Sequence, residues 1–220
     1  LQDCFIRELK EGARPVCPDP RVITSPCDAI VGAQGRIAGS MLFQAKGFPY
    51  MIEDLVPDAR LVERLRHGYY VTLRLKSSMY HRFHAPADGR VREVIYQSGD
   101  TWNVNPVTLR RIENLFCLNE RAVLELDGGD PSRCLVLVPV AAILVASMKF
   151  HCLRHGLDLS YRGPNRMSCD ASYRKGDEMG YFEQGSTIIV LASEQFRLQS
   201  LVEEGKRINM GEPLWFMPEA

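Results

Sequence analysis

Lys175-Gly-Asp-Glu-Met-Gly-Tyr-Phe-Glu-Gln-Gly-Ser-Thr187, running on into Ile188-Ile-Val-Leu-Ala192, decides how this chain of 220 residues is read. A charged turn with a glycine leads to a short aromatic segment, a second glycine turn, and an apolar run of strand length. That pattern predicts a glycine turn leading into an apolar strand. Taken alone, Gly185-Ser186-Thr187 is an ordinary turn at the start of a strand. The Gly185-Ser186 bond also admits a chemical reading. A serine hydroxyl held against the preceding carbonyl can attack it and cut its own chain, and glycine suits the acceptor side because it allows close approach and unusual backbone angles.

The rest of the chain fits around a sheet. From Val22 to Val104, β-branched and aromatic runs alternate with turn signals at Ala33-Gln-Gly-Arg36, Ala87-Asp-Gly-Arg90 and Ser98-Gly-Asp100, which predicts strands and hairpins. Leu55, Leu61 and Leu65 recur at near-helical spacing between Met51 and Arg66, with Pro57 starting or breaking the segment, so one or two short helices are expected. Two apolar runs, from Ala122 to Leu126 and from Cys134 to Ser147, flank Asp127-Gly-Gly-Asp-Pro131 and predict a hairpin in the sheet core. Between His151 and Arg174 the composition turns polar around Gly163-Pro-Asn165, which predicts a loop excursion. With no internal repeat and no Rossmann or P-loop glycine pattern, the expectation is one β-rich α+β domain over 1–220, built of antiparallel sheets and hairpins with a few short helices.

Composition narrows the partners. Basic and acidic residues number 27 each, so no global field draws the protein to nucleic acid. Seven scattered cysteines without a CxxC pair disfavour a disulfide framework and a zinc ribbon, and point to a reducing compartment. The longest apolar stretch, from Cys134 to Met148, is shorter than the roughly 20 residues that span a bilayer and contains Pro139. The first residue, Leu1, is not followed by a charged-then-apolar leader, so a fragment or trimmed chain without a signal peptide is expected.

Two of the five histidines sit in Tyr80-His-Arg-Phe-His84, and imidazole is the usual general base near neutral pH. In an extended strand His81 and His84 face opposite sides, so the backbone must bend if both serve one site. The ordinary alternative is a hydrogen-bonded structural pair. Asp28, in Pro26-Cys-Asp28, reads by itself as a turn aspartate, and Asp88 as a hairpin residue. His151, Cys152, His155 and Cys169 can be drawn as a zinc site, but the spacing is irregular and no metal is expected. Ser147-Met-Lys149-Phe suggests a biotinyl- or lipoyl-like carrier module, although Lys149 follows a long apolar strand where carriers place their lysine at a hairpin tip.

Eight segments in order resemble the phosphatidylserine decarboxylase family. They are Phe5 to Lys10, Arg14-Pro15, Pro26-Cys-Asp28, Gln44-Ala-Lys-Gly47, Tyr80 to Pro86, Gly99-Asp-Thr-Trp-Asn-Val-Asn105, Asn119-Glu-Arg121 and Lys175 to Thr187. The resemblance implies a proenzyme that cuts itself between Gly185 and Ser186 into a β chain, 1–185, and an α chain, 186–220. Ser186 then becomes a covalent pyruvoyl cofactor, which forms a Schiff base with phosphatidylserine and yields phosphatidylethanolamine and carbon dioxide. It also implies His84 as the base for the cut, Asp28 as its orienting acid, His81 as proton donor in decarboxylation, and Thr187 and Tyr80 as residues that shape the site. Family members tend to carry amphipathic helices ahead of the point where this chain starts. The resemblance therefore implies a peripheral enzyme on the cytoplasmic face of a membrane, and leaves a homodimer open. A pyruvoyl-dependent decarboxylase of a free amino acid is the nearest alternative.

The chain departs from the family pattern at Gln184 before the scissile pair, at Ala29 after Asp28, at Ala141 and Ala146 in the apolar run, and at Lys76-Ser-Ser-Met79 ahead of Tyr80.

Overall fold

The computed structural model describes residues 6–45, 48–142, 147–198 and 202–217; Leu1, Phe5, Lys46, Gly47 and Ala146, named above, lie outside them. The chain opens with strands β1 (Val22–Thr24), β2 (Ala29–Arg36), β3 (Met41–Ala45) and β4 (Phe48–Met51), then helices α1 (Ile52–Leu55) and α2 (Ala59–Leu65). Strands β5 (Tyr69–Leu75), β6 (Arg82–His84) and β7 (Gly89–Gln97) precede helices α3 (Pro106–Leu109) and α4 (Leu115–Leu118). Next come β8 (Arg121–Glu125), β9 (Leu135–Ala141), β10 (Met148–Phe150), β11 (Arg166–Tyr173) and β12 (Glu178–Phe182). The last are β13 (Ser186–Ala192), β14 (Arg197–Leu198), β15 (Arg207–Ile208) and β16 (Pro213–Phe216).

An antiparallel sheet in the order β11-β7-β8-β9-β13-β5-β2-β15 forms the centre. β13 lies inside it, with Ser186 opposite Leu75 on one side and Ala141 on the other, and all seven of its residues are buried. This is the strand expected after the glycine turn, and the sheet buries it on both faces. Because successive strand residues face opposite ways, Ile188 and Val190 enter one core with Leu73, Phe83, Phe182 and Trp215. Ile189 and Leu191 enter a second core with Leu42, Leu55, Leu61 and Phe116. The first face is thus covered by the small sheets β1-β16-β14 and β10-β12-β6, the second by the short helices and the β3–β4 hairpin.

The expected pair of helices before β5 forms, and Asp58 caps α2 by accepting the N–H groups of Arg60 and Leu61. Three local expectations change. Ala33 to Arg36 is not a turn but the end of β2, whose irregularity between Val31 and Gln34 absorbs the small residues; the chain turns after Arg36 instead. Helices α3 and α4 form where none was expected, α3 with Asn105 as N-cap and Pro106 in its first turn. The polar stretch from His151 to Arg174 ends in strand β11. This is an edge strand, exposed at every second residue, and its one-sided burial explains why the composition looked like a loop.

Several segments of the family resemblance are structural. Asn119 donates to the carbonyls of Trp102 and Ala141, and Arg121 donates to the carbonyls of Asp54, Leu55, Cys117 and Asn119. Gln44 donates to the carbonyls of Leu109 and Ile112 and accepts the N–H of Leu115. Gly99 packs so tightly that a Cβ there would lie 2.2 Å from the Leu118 oxygen. Together these groups satisfy buried backbone in the loops that carry α3 and α4.

Candidate active site

Ser186 opens β13 at the end of the sheet where β5 and β9 both finish. Its hydroxyl is fully buried and has no hydrogen-bond partner among the described residues, a costly condition for a group that could be alanine. From Leu75, directly across from Ser186, the chain reaches Tyr80 and His81 through a short loop. From the other direction, the N–H of Phe182 donates to the His81 carbonyl at 3.0 Å, just before the Glu183 to Gly185 turn. The chain path therefore brings the segments that carry His81 and the scissile pair together where β5 and β9 end, while His84 lies in the small sheet that covers this face, paired with Glu178.

His81 lies just before β6 and His84 within it; both rings are buried, and the irregularity in this pairing falls on β12, between Glu178 and Gly180. A carbonyl only accepts, so the hydrogen bond of 2.8 Å from His84 Nδ1 to the Gly176 oxygen places the proton on Nδ1. Nε2 then carries the lone pair, and it accepts the Tyr80 hydroxyl at 2.9 Å with the two rings stacked. Burial holds His84 below the usual histidine range, against smaller opposing effects from Gly176 and nearby carboxylates, so the ring is neutral at neutral pH. Burial also pushes Tyr80 up and keeps it a phenol. His81 shows the same pattern, with Nδ1 donating to the Met79 carbonyl at 2.9 Å and burial lowering its pKa.

Gly176 belongs to the Lys175 to Gly180 segment, which the family resemblance implies shapes the site, but its own part is visible only in the structure. It holds φ at +92°, and the turn it makes aims its carbonyl at His84 while its N–H donates to Ala85. Lys175 secures the same turn, donating from its backbone to Asp88 Oδ1 and from Nζ to the carbonyls of Asp19 and Val22.

Asp28 is buried near His84, whose N–H donates to Pro26, but its carboxylate is engaged elsewhere. It accepts Arg14 Nε at 2.8 Å and Arg14 Nη2 at 2.5 Å, and the Met210 N–H at 3.0 Å, with Arg207 3.5 Å away. Among the described residues no hydrogen bond joins Asp28 to His84; the group that orients the imidazole is the Gly176 carbonyl. Burial alone would raise the Asp28 pKa, but the Arg14 hydrogen bonds, the Met210 N–H and both guanidinium charges together hold it below the carboxylate range. Its stabilising contribution is therefore complete above the unfolded value near 4 and is lost as pH falls through the lower folded value. Asp28→Asn is expected to destabilise the fold by roughly 3 kcal/mol at pH 7 and to flatten the acid limb of stability, as read by denaturant melts across pH.

Thr187 is buried on the opposite face from Ser186 and lines a cavity there with Thr72 and Arg74. Among the described residues no three histidine, cysteine or acidic groups come together as a metal site, and His151 Nε2 bonds Glu178 at 2.6 Å. Lys149 lies within β10, paired with Tyr181, and not at a hairpin tip.

Compared with known proteins, residues 1–215 match the family described as phosphatidylserine decarboxylase. The chain is 39% identical to the phosphatidylserine decarboxylase proenzyme of Vibrio cholerae serotype O1, over 97% of this chain and 77% of the relative. It is 38% identical to that of Methylibium petroleiphilum (99% and 77%) and 36% identical to that of Anaeromyxobacter sp. (96% and 76%). With agreement of this extent laid over a buried serine behind a glycine and two buried neutral histidines, the chain belongs to the phosphatidylserine decarboxylase family.

Proposed function

We propose that this protein converts phosphatidylserine to phosphatidylethanolamine and carbon dioxide, using a pyruvoyl group made by cutting itself between Gly185 and Ser186. The observation that carries the reading is the Ser186 hydroxyl, buried and unpartnered at the end of a central strand. Ser186 Oγ attacks the Gly185 carbonyl carbon, the peptide nitrogen leaves, and an ester replaces the amide. Loss of the Ser186 α-proton expels the Gly185 carboxylate, and hydrolysis of the resulting dehydroalanine releases ammonia and leaves the pyruvoyl end.

His84, neutral and with its lone pair on Nε2, is the base for the attack; Nε2 must release the Tyr80 hydroxyl or act through it. Asp28 acts by charge and position, favouring the imidazolium and holding Arg14 and the segment around Met210 beside the site. The pyruvoyl carbonyl supplies the electron sink for decarboxylation. His81 is the proposed carrier of the proton that replaces carbon dioxide; its one ring proton is given to the Met79 carbonyl, so it first takes up a proton at Nε2 and delivers it from there.

A lipid substrate places the enzyme at a bilayer. No helix among the described residues is long and apolar enough to cross one. Peripheral contact with it is supported by exposed Phe43, Met51, Trp102, Val107 and Leu118, from the β3–β4 hairpin and the segment that Gln44 ties to it. Purified protein is expected to run as two chains, 1–185 and 186–220, the second lacking a free amino end, and to release carbon dioxide from phosphatidylserine in preference to free amino acids. Denaturing intact-mass analysis and a carbon dioxide assay check this; a single intact chain in an active preparation would refute it.

A further inference from the structure

On the face of the sheet opposite the Ser186 side chain, a cavity of about 320 Å³ opens beside the scissile strand. Its floor is a cross-strand patch in which Arg74 of β5 lies directly opposite Thr187 of β13 and Ile30 of β2, with Thr72 opposite Ile189. The Thr72 and Thr187 hydroxyls are 2% and 0% exposed, and neither has a hydrogen-bond partner among the described residues. Arg74 is half-buried, and among the described residues it has no ion pair and no hydrogen bond; burial alone pulls its pKa down. Exposed Arg110 and Glu204 complete the polar lining. A half-buried guanidinium without a counterion beside two orphaned hydroxyls is costly for the fold and well suited to an oxyanion.

We propose that Arg74, with the Thr72 and Thr187 hydroxyls, forms a phosphate-binding site, and that its occupant is the phosphodiester of the lipid substrate; this second part rests on the function proposed above. Thr187 directly follows the serine that is converted, with Cα atoms about 3.8 Å apart. Cleavage makes residue 186 a chain end, and at a chain end the two faces of the sheet meet. A serine phospholipid carries its phosphate only a short chain of bonds from its amine, so one group can occupy the cavity while the other reaches residue 186. The substrate carboxylate is the wrong anion for Arg74, because a tight ion pair there would stabilise the ground state that decarboxylation must destroy. The lining residues Gln44, Ala45, Pro106 and Arg110 adjoin Phe43 and Val107, exposed by 38% and 56%, so the cavity mouth faces the same apolar surface that suits a bilayer.

The test compares Arg74→Met and Arg74→Lys with the parent enzyme. Arg74→Met is expected to cut itself as the parent does and to melt no lower, since it removes an uncompensated charge. Its KM for phosphatidylserine in mixed micelles is expected to rise roughly ten- to a hundredfold, with kcat little changed and Arg74→Lys intermediate. Phosphorus NMR titration with inorganic phosphate reads the site independently of turnover, and therefore remains informative if self-cleavage itself fails. Phosphate binding lost in Arg74→Met together with a raised KM supports both parts. Phosphate binding lost with KM unchanged supports the site but assigns it to free phosphate, overturning the lipid assignment. An unchanged KM with no phosphate binding by the parent overturns the proposal.

Discussion

Ser186→Ala is expected to give one uncut polypeptide with no decarboxylase activity and a melting temperature equal to or above that of an uncut parent. The two effects have opposite signs for one reason. The hydroxyl is buried and lacks a partner among the described residues, so it contributes nothing to the fold that its methylene does not. Removing it relieves a desolvation cost of about 1 kcal/mol. The same atom is the proposed nucleophile for the Gly185 carbonyl, so cleavage and the carbonyl it creates are both expected to be lost. Such a combination marks a residue kept for chemistry against stability. Differential scanning calorimetry alongside intact mass reads both halves; a variant that still splits at this bond would remove Ser186 from the mechanism.

His84→Asn is expected to slow self-cleavage by about two to four orders of magnitude, the usual span for a general base. The pH dependence is specific. Burial depresses the folded pKa, so the neutral ring persists below the ordinary histidine value of about 6.5, and the cleavage rate holds through that pH and falls only as pH drops through the lower folded value. The stability sign is the same. The unfolded chain binds the proton more readily than the folded one, so the His84 contribution is full above about 6.5 and erodes as pH falls. Time courses of chain splitting between pH 5 and 8 measure the first effect. A midpoint above 6.5, or a rate indifferent to His84→Asn, would assign the base elsewhere.

The sheet was legible because apolar runs of strand length, above all Ile188 to Ala192, have few other ways to be buried. The short helices α3 and α4 were not, since each holds too few residues to show a period, and only Asn105-Pro106 marks a start. Strand β11 was hidden by its exposed alternate residues. At the site, residue types pointed to Ser186, His81 and His84, and the structure brings the His81 and Ser186 segments together where β5 and β9 end, with His84 in the small sheet over that face. What pattern could not convey was who holds whom. The partner of His84 is a backbone carbonyl, and a carbonyl has no letter in the sequence; Asp28, an obvious acid, spends its oxygens on Arg14 and a backbone amide. Arg74 was silent for the same reason, because only the register of three strands shows that its charge is unanswered.

The position of β13 also sets the order of events in the life of the molecule. If the chain is cut as proposed, β13 is left between β5 and β9, β15 on β2 and β16 on β1, so the C-terminal piece stays threaded through the rest of the fold. That fragment cannot leave without dismantling the sheet, and it cannot be added later without building it. The proposed cleavage is therefore expected downstream of folding, with the reactive carbonyl arising only in chains whose sheet is already built. A misfolded copy stays chemically silent, so the population of cut chains is a direct census of correctly folded ones.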